Sequence, residues 1–244
     1  AEQYAEDVRN GKIIACHWVK QAVERYYRDL DQALDKGWIF SRQHAERAIN
    51  FIEHLRHVKG KWAGEYLKLE PWQCFIVWNI FGWLMAGTKT RRFTEAYIEL
   101  ARKNGKSTLA AGIALYLEFA DKEMGAEVYS VATTREQARI CFKYAQDMVR
   151  FSDLKKYALV TRDAIVYEPL GCSYKPLSSD ARNLDGCHSH GVIVDEYHAH
   201  RTDEVYDVMQ TSMGARQQPL MLIITTAGLN TSVPCFAYRK TMTQ

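Results

Sequence analysis

One octet constrains this chain more than any other stretch: Ala101-Arg102-Lys103-Asn104-Gly105-Lys106-Ser107-Thr108. Upstream, Ala96-Tyr97-Ile98-Glu99-Leu100 reads as an extended, half-buried strand. Downstream, Leu109 to Phe119 is rich in Ala and Leu, with Gly112 its one weak helix former. Strand, Gly-Lys-Ser turn and helix, in that order, aim successive backbone N–H groups of the turn and the helix N-terminus at one point. A phosphate satisfies such a cradle. On this reading Asn104, Gly105, Lys106, Ser107 and Thr108 line the cradle, Lys106 reaches the β- and γ-phosphates, and the Ser107 hydroxyl holds Mg²⁺. The usual first glycine of such loops falls at Leu100, so only the Gly-Lys-Ser half fits. A lone Gly-Lys-Ser occurs in many ordinary turns, so a second site has to support it.

Some ninety residues downstream, Val192-Ile193-Val194-Asp195-Glu196 is a continuous apolar run that ends in two carboxylates. Such a run suits a strand buried on both faces of a parallel sheet. Beside a phosphate loop, Asp195 orders the water shell of Mg²⁺, and Glu196 orients and deprotonates the attacking water. A strand followed by an acidic helix cap explains this segment alone, but not its pairing with Lys106 and Ser107. A third strand, Leu220 to Ile224, ends in Thr225-Thr226-Ala227-Gly228. Hydroxyls at the carboxyl end of a core strand face the crevice where open α/β sheets bind ligands. The alternative is a β-branched strand end with Gly228 as a turn.

Composition sets outer limits. At 244 residues the chain holds one large domain, or one domain with an appendage. Hydrophobic content of 47% and charged content of 25% are those of an ordinary globular protein. The net charge of +3 is too small to imply nucleic-acid binding by itself, so any DNA contact must come from a local basic face. Six cysteines, at 16, 74, 141, 172, 187 and 235, include no C-x-x-C pair and read as buried thiols of a reducing compartment. Cys187-His188-Ser189-His190 with His198 and His200 matches no common zinc spacing and reads better as a loop flanking the acidic strand. The most apolar run, Cys74 to Gly87, is interrupted by Asn79 and is too short for a bilayer. No signal peptide is visible.

Periodicity orders the rest. Residues 1–58 read as a charged helical segment, with Trp18, Ala22, Tyr26 and Leu30 four apart and Ala45, Ala48, Ile49 and Ile52 at three-four spacing. Residues 59–244 then form the second section. Pro71 opens a core helix over Trp72–Trp83. Strand 93–101, helix 106–120, strand 127–132 and helix 134–151 follow, with Thr133 and Glu136 as a capping box. Strand-like segments at 158–167 and 172–177 precede strand 192–195, helix 202–213 and strand 220–226. Such alternation predicts an α/β fold, a mainly parallel sheet covered by helices on both faces.

These segments together resemble the large terminase subunit of tailed bacteriophages, the motor that packages viral DNA. The resemblance runs from Val8-Arg9-Asn10-Gly11-Lys12-Ile13-Ile14-Ala15-Cys16 and Leu69-Glu70-Pro71-Trp72-Gln73 through the octet and Leu184-Asp185-Gly186. It closes with Val194-Asp195-Glu196-Tyr197-His198-Ala199-His200 and Thr225-Thr226-Ala227-Gly228. Members of that family similarly lack the loop's first glycine and carry basic residues inside it. The resemblance implies a P-loop NTPase of the ASCE type, with an N-terminal helical extension, that hydrolyses ATP with Mg²⁺ to move double-stranded DNA into a procapsid. It places Trp72 and Gln73 near the adenine. It further implies a portal protein and a terminase small subunit as partners, a ring of five subunits on the portal, no membrane, and the host bacterial cytoplasm during virus assembly. The family's nuclease half has no counterpart in this sequence, which ends soon after Thr-Thr-Ala-Gly.

Hydrolysis spreads negative charge over the γ-phosphoryl oxygens, where an arginine raises the rate by about 10³ to 10⁵. Arg102 lies in the loop and would act in cis; which of Arg102 and Lys103 faces the phosphates is left open. Arg182 lies in the polar loop 178–186 and would act on a neighbour in a ring, with Arg216 in reserve. Two other functions remain: another P-loop DNA-translocating or helicase-like ATPase, and an ATP-regulated assembly scaffold. Glu196 weighs against the scaffold, because a pure binder has little use for a water-orienting carboxylate.

Overall fold

The computed structural model describes residues 1–178 and 186–243. The chain divides into two compact units, Ala1–Glu53 with Lys68–Phe93, and His54–Leu67 with Thr94–Gln244. The first unit contains α1 (Glu2–Arg9), α2 (His17–Gln32), β1 (Trp38–Phe40), α3 (Arg42–Glu53), α4 (Pro71–Gly82) and β2 (Trp83–Met85). Pro71 sits at the first turn of α4, where its missing N–H costs nothing, and Glu70 and Gln73 close a capping box around it. Phe75, Val77, Trp78, Ile80 and Phe81 are all buried, so α4 is apolar on every side and forms the centre of this unit. Residues 68–93 therefore belong with the N-terminal helices by packing.

The stripe expected on α2 turns out differently. Val23, Tyr26 and Asp29 are buried, whereas Trp18 and Leu30 are exposed. Each four-residue step overshoots a helical turn by about 40°, so a run spaced by fours drifts off any single face. Tyr26 instead accepts a hydrogen bond from the Trp78 indole (3.2 Å), and Asp29 accepts one from Arg92 (2.8 Å). The periodicity of α3 holds: Ala45, Ala48 and Ile52 are fully buried. Gly82 ends α4 where a Cβ would lie 2.5 Å from the Phe40 ring, so any side chain here would force that ring to move. Strands β1 and β2 pair antiparallel with Phe40 opposite Trp83, a ribbon that three-residue apolar segments do not announce in sequence.

The second unit contains β3 (Glu95–Glu99), α5 (Lys106–Phe119), β4 (Glu127–Ala132), α6 (Arg135–Phe151), β5 (Ala158–Val160), β6 (Ile165–Tyr167), β7 (Cys172–Ser178), β8 (Ser189–Asp195), α7 (Glu204–Ser212), β9 (Leu220–Thr225) and α8 (Pro234–Met242). Among the described residues its sheet has seven strands in the order β3-β9-β8-β4-β7-β6-β5. From β3 to β7 the neighbours run parallel, and β6 and β5 close the far edge antiparallel. The expected α/β fold is thus present. Two local expectations change. Residues 158–167 are a hairpin, because Thr161 turns the chain through hydrogen bonds to Asp163 and Ala164. Thr134, not Thr133, caps α6, its hydroxyl accepting the Gln137 N–H at 3.2 Å. Helix α8 went unanticipated, since the Asn/Thr/Ser-rich approach to Pro234 reads as a loop. No helix among the described residues is long and apolar enough to cross a membrane.

Helix α5 packs against the sheet with Leu109 through Glu118 buried. That run includes an acid. Glu118 is 1% exposed, and burial holds its carboxyl well above the usual carboxylate range. The Tyr174 backbone pulls weakly the other way without forming a well-aligned hydrogen bond to either oxygen. The stability contributed by the neutral acid is full below its unfolded value of about 4.3 and is lost as pH rises toward the folded value. Glu118→Gln cannot ionise. Thermal melts at pH 5 and pH 8 are therefore expected to favour the variant increasingly at the higher pH, by about 1.4 kcal/mol per pH unit until the folded pKa is passed. A stability difference independent of pH would contradict a neutral Glu118.

Candidate functional site

The parallel strands bring three chain segments to one edge of the second unit. Glu99 of β3 stands opposite Thr225 of β9, and Asp195 of β8 stands opposite Ile224 of β9. Strand β9 therefore lies between the octet's strand and the acidic strand. The Leu100 N–H donates to the Thr225 carbonyl at 3.0 Å, continuing the pairing into the loop.

The loop then turns on two left-handed residues, Lys103 (φ 67°) and Gly105 (φ 71°). Asn104 donates its side-chain amide to the carbonyls of Ala101 (3.2 Å) and Arg102 (3.4 Å), which fastens the turn. Gly105 is the N-cap of α5 and has no side chain to satisfy the first helical N–H groups, so they remain open to an anion. Ser107 and Thr108 follow in the first helical turn, both half-buried. Arg102 and Lys103 are exposed on the loop surface.

Lys106 is only 8% exposed, and its Nζ lies 3.4 Å from Glu196 Oε1. Glu196 leaves β8 with φ 51°, a left-handed conformation that costs a non-glycine residue of order 1 kcal/mol or more. The strained turn is held by the Glu196 N–H, which donates to the Ile224 carbonyl and to Asp195 Oδ1, both at 2.9 Å. Asp195 itself is 6% exposed. Burial first, and then the neighbouring Glu196 charge, push its carboxyl up to about 6, against the pull of the Glu196 N–H and the Lys106 charge. A buried acid short of positive charge suits a divalent cation, and Ser107 and Asp195 are hard oxygen donors of the kind Mg²⁺ takes together with phosphate and water.

Thr225 is fully buried and Thr226 nearly so. Both meet His198, a residue to which sequence reasoning gave no role at this site. The His198 N–H donates to Thr225 Oγ1 (3.1 Å), and its Nδ1 lies 3.0 Å from Thr225 Oγ1, 3.3 Å from Thr226 Oγ1 and 3.1 Å from Glu196 Oε2. The one available signal was its position two residues after Glu196, in the short 3-10 turn Tyr197–Ala199. His200, beyond that turn, is buried, and burial pushes its pKa below the usual histidine range.

Trp72 and Gln73 open α4 in the first unit, where the Gln73 amide oxygen accepts the Glu70 N–H at 2.9 Å. Arg182 lies outside the described residues. Arg216 lies at the amino ends of the strands, away from the loop. Its guanidinium donates to the carbonyls of Gly125 (2.6 Å), His188 (2.9 Å) and Met124 (3.3 Å), and to Glu123 (3.4 Å). It ties down the approaches to β4 and β8, which leaves it a clamp and removes it as the reserve arginine. His190, buried at the start of β8, pairs with Asp121 at 2.7 Å.

Comparison with known proteins bears on the same segments. Residues 71–243 match the family model described as the ATPase domain of the terminase large subunit. The chain is 32% identical to the terminase large subunit of Enterobacteria phage HK97 over 192 residues, 76% of this chain and 37% of that protein. The crystal structure of the HK97 large terminase aligns with a TM-score of 0.70 and 27% identity, over 82% of this chain and 41% of that one. The ATPase domain of the Thermus phage P74-26 large terminase shares the fold, with a TM-score of 0.51 and 20% identity over 67% of each chain. The chain thus spans well under half the length of the HK97 protein.

Proposed function

Because the chain belongs to the ATPase-domain family of terminase large subunits, we propose that it binds ATP and Mg²⁺ at the Gly-Lys-Ser loop and hydrolyses ATP to drive double-stranded DNA into a procapsid. One observation carries the reading: the loop lysine and the strand-end glutamate, ninety residues apart, meet at 3.4 Å beside a buried aspartate. The open N–H groups at the start of α5 accept the phosphate chain, and Lys106 neutralises its β- and γ-oxygens. Ser107 and Asp195 would hold Mg²⁺, which would supply positive charge against that developing on the phosphates. Glu196 takes the proton of the attacking water. Arg102 in cis, or Arg182 from a neighbouring subunit, stabilises the charge of the transition state. Thr225 and Thr226 support the γ-phosphate end of the site, and Trp72 and Gln73 recognise the adenine. By resemblance, the proposal extends to a ring of five subunits on a portal protein, a small-subunit partner, and action in the host cytoplasm.

Mg²⁺-dependent phosphate release from ATP, measured with blunt duplex and with a tailed duplex, tests the reading. Turnover is expected that duplex DNA stimulates without separating strands. Strand separation would move the protein to the helicase-like class. ATP binding with no turnover at any protein concentration would leave the scaffold.

A further inference from the structure

The contacts around His198 fix more than its location. Thr225 Oγ1 donates its proton to the Thr226 carbonyl at 3.0 Å. Its lone pairs then accept, one from the His198 backbone N–H and one from the imidazole. With the Thr225 proton given to the Thr226 carbonyl, this geometry assigns the proton of the imidazole to the ring nitrogen that faces Thr225. The same Nδ1 atom lies 3.1 Å from Glu196 Oε2, and the Thr226 hydroxyl donates toward that oxygen at 3.5 Å. Glu196 is thus held by its two oxygens in different ways. Oε1 faces Lys106 and the phosphate loop, while Oε2 faces His198 and Thr226.

We propose that His198 is a positioning residue for hydrolysis: its imidazole, fastened to Thr225 and lying 3.1 Å from Glu196 Oε2, holds that oxygen at the end of β9 and leaves Oε1 as the oxygen that meets the attacking water. The proposal rests on the hydrolytic reading above. Lys106 has a competing task, because a lysine that turns to phosphate gives up Glu196. His198 has no such task, and with Thr226 it keeps the carboxylate aimed after Lys106 has moved. Glu196 needs this help because its backbone is already in a strained conformation at the end of β8. Without the imidazole the carboxylate swings, and a misplacement of about 1 Å at the reacting atom costs on the order of 10²-fold in rate.

Three histidine variants of this chain test it: His198→Ala, His198→Asn and His198→Gln. The Asn amide nitrogen occupies a place close to Nδ1, whereas that of Gln reaches further out. His198→Ala is expected to lower kcat for ATP by about 10- to 100-fold with KM and binding of a fluorescent ATP analogue unchanged. Asn should recover most of the loss, and Gln should not. The imidazole ¹⁵N spectrum of the native chain should show the proton on Nδ1. Native kcat in His198→Ala, a loss that Asn does not restore, or a proton on Nε2 would each overturn the proposal while the hydrolytic reading stands. A native chain that never turns over ATP would remove both.

Discussion

Lys106→Ala is expected to reduce ATP turnover by at least about 10²- to 10³-fold and to weaken nucleotide binding with it. The size follows from what the ammonium does. It is a nearly buried charge in the first turn of α5, aimed at the place where the phosphate chain gathers negative charge, and water screens it little. Removing one such preorganised stabiliser of a developing charge costs about 2.7–4 kcal/mol. Alanine also leaves Glu196 Oε1 without its cation at 3.4 Å, so circular dichroism should accompany the kinetics to show that the fold survives. Lys106→Arg keeps the charge but not the reach, and is expected to bind nucleotide while hydrolysing it poorly. Phosphate release by Lys106→Ala at the native rate would remove the phosphate-loop assignment altogether.

Glu196→Gln should separate binding from chemistry. The amide can still receive and give hydrogen bonds to Lys106, His198 and water, but it has no basic oxygen to take the proton of the nucleophile. A loss of turnover of about 10²- to 10⁴-fold is expected, with analogue binding within a fewfold of native. Asp195→Asn should behave otherwise. Its carboxyl already resists ionisation, at about 6, and its task is to meet a cation. The amide should raise the Mg²⁺ concentration needed for half-maximal turnover, with a smaller loss at saturating Mg²⁺. If Glu196→Gln shifted the Mg²⁺ requirement and Asp195→Asn abolished turnover at every Mg²⁺ concentration, the two roles would be exchanged.

Much of this protein could be read along its length, and the physical reason is locality. The octet shows its turn and helix because Gly105 and the Ala- and Leu-rich run after Ser107 act within a few residues of themselves. The acidic strand shows because Val192, Ile193 and Val194 are apolar without alternation, which parallel burial demands. Pro71 and Glu70 similarly mark the start of α4 by cap chemistry alone. Where local signals were short or shared by two residues, sequence reading slipped. Adjacent threonines left the cap of α6 undecided between Thr133 and Thr134, and the three-residue strands β1 and β2 were too brief to declare a period.

The sequence by itself determined which groups are available: a lysine at a helix start, two acids at one strand end, two hydroxyls at another. Only the tertiary structure decided how they are arranged. Strand order and register place β9 between β3 and β8, a matter of long-range pairing that no short window contains. That placement puts Thr225 within reach of the turn after Glu196, and so makes His198 a holder of the carboxylate instead of one more histidine in a polar loop. It also sends Arg216 to the opposite strand ends, where backbone carbonyls consume its donors. Side-chain chemistry is written residue by residue. The oxygen that a histidine faces is fixed only when distant strands come into register.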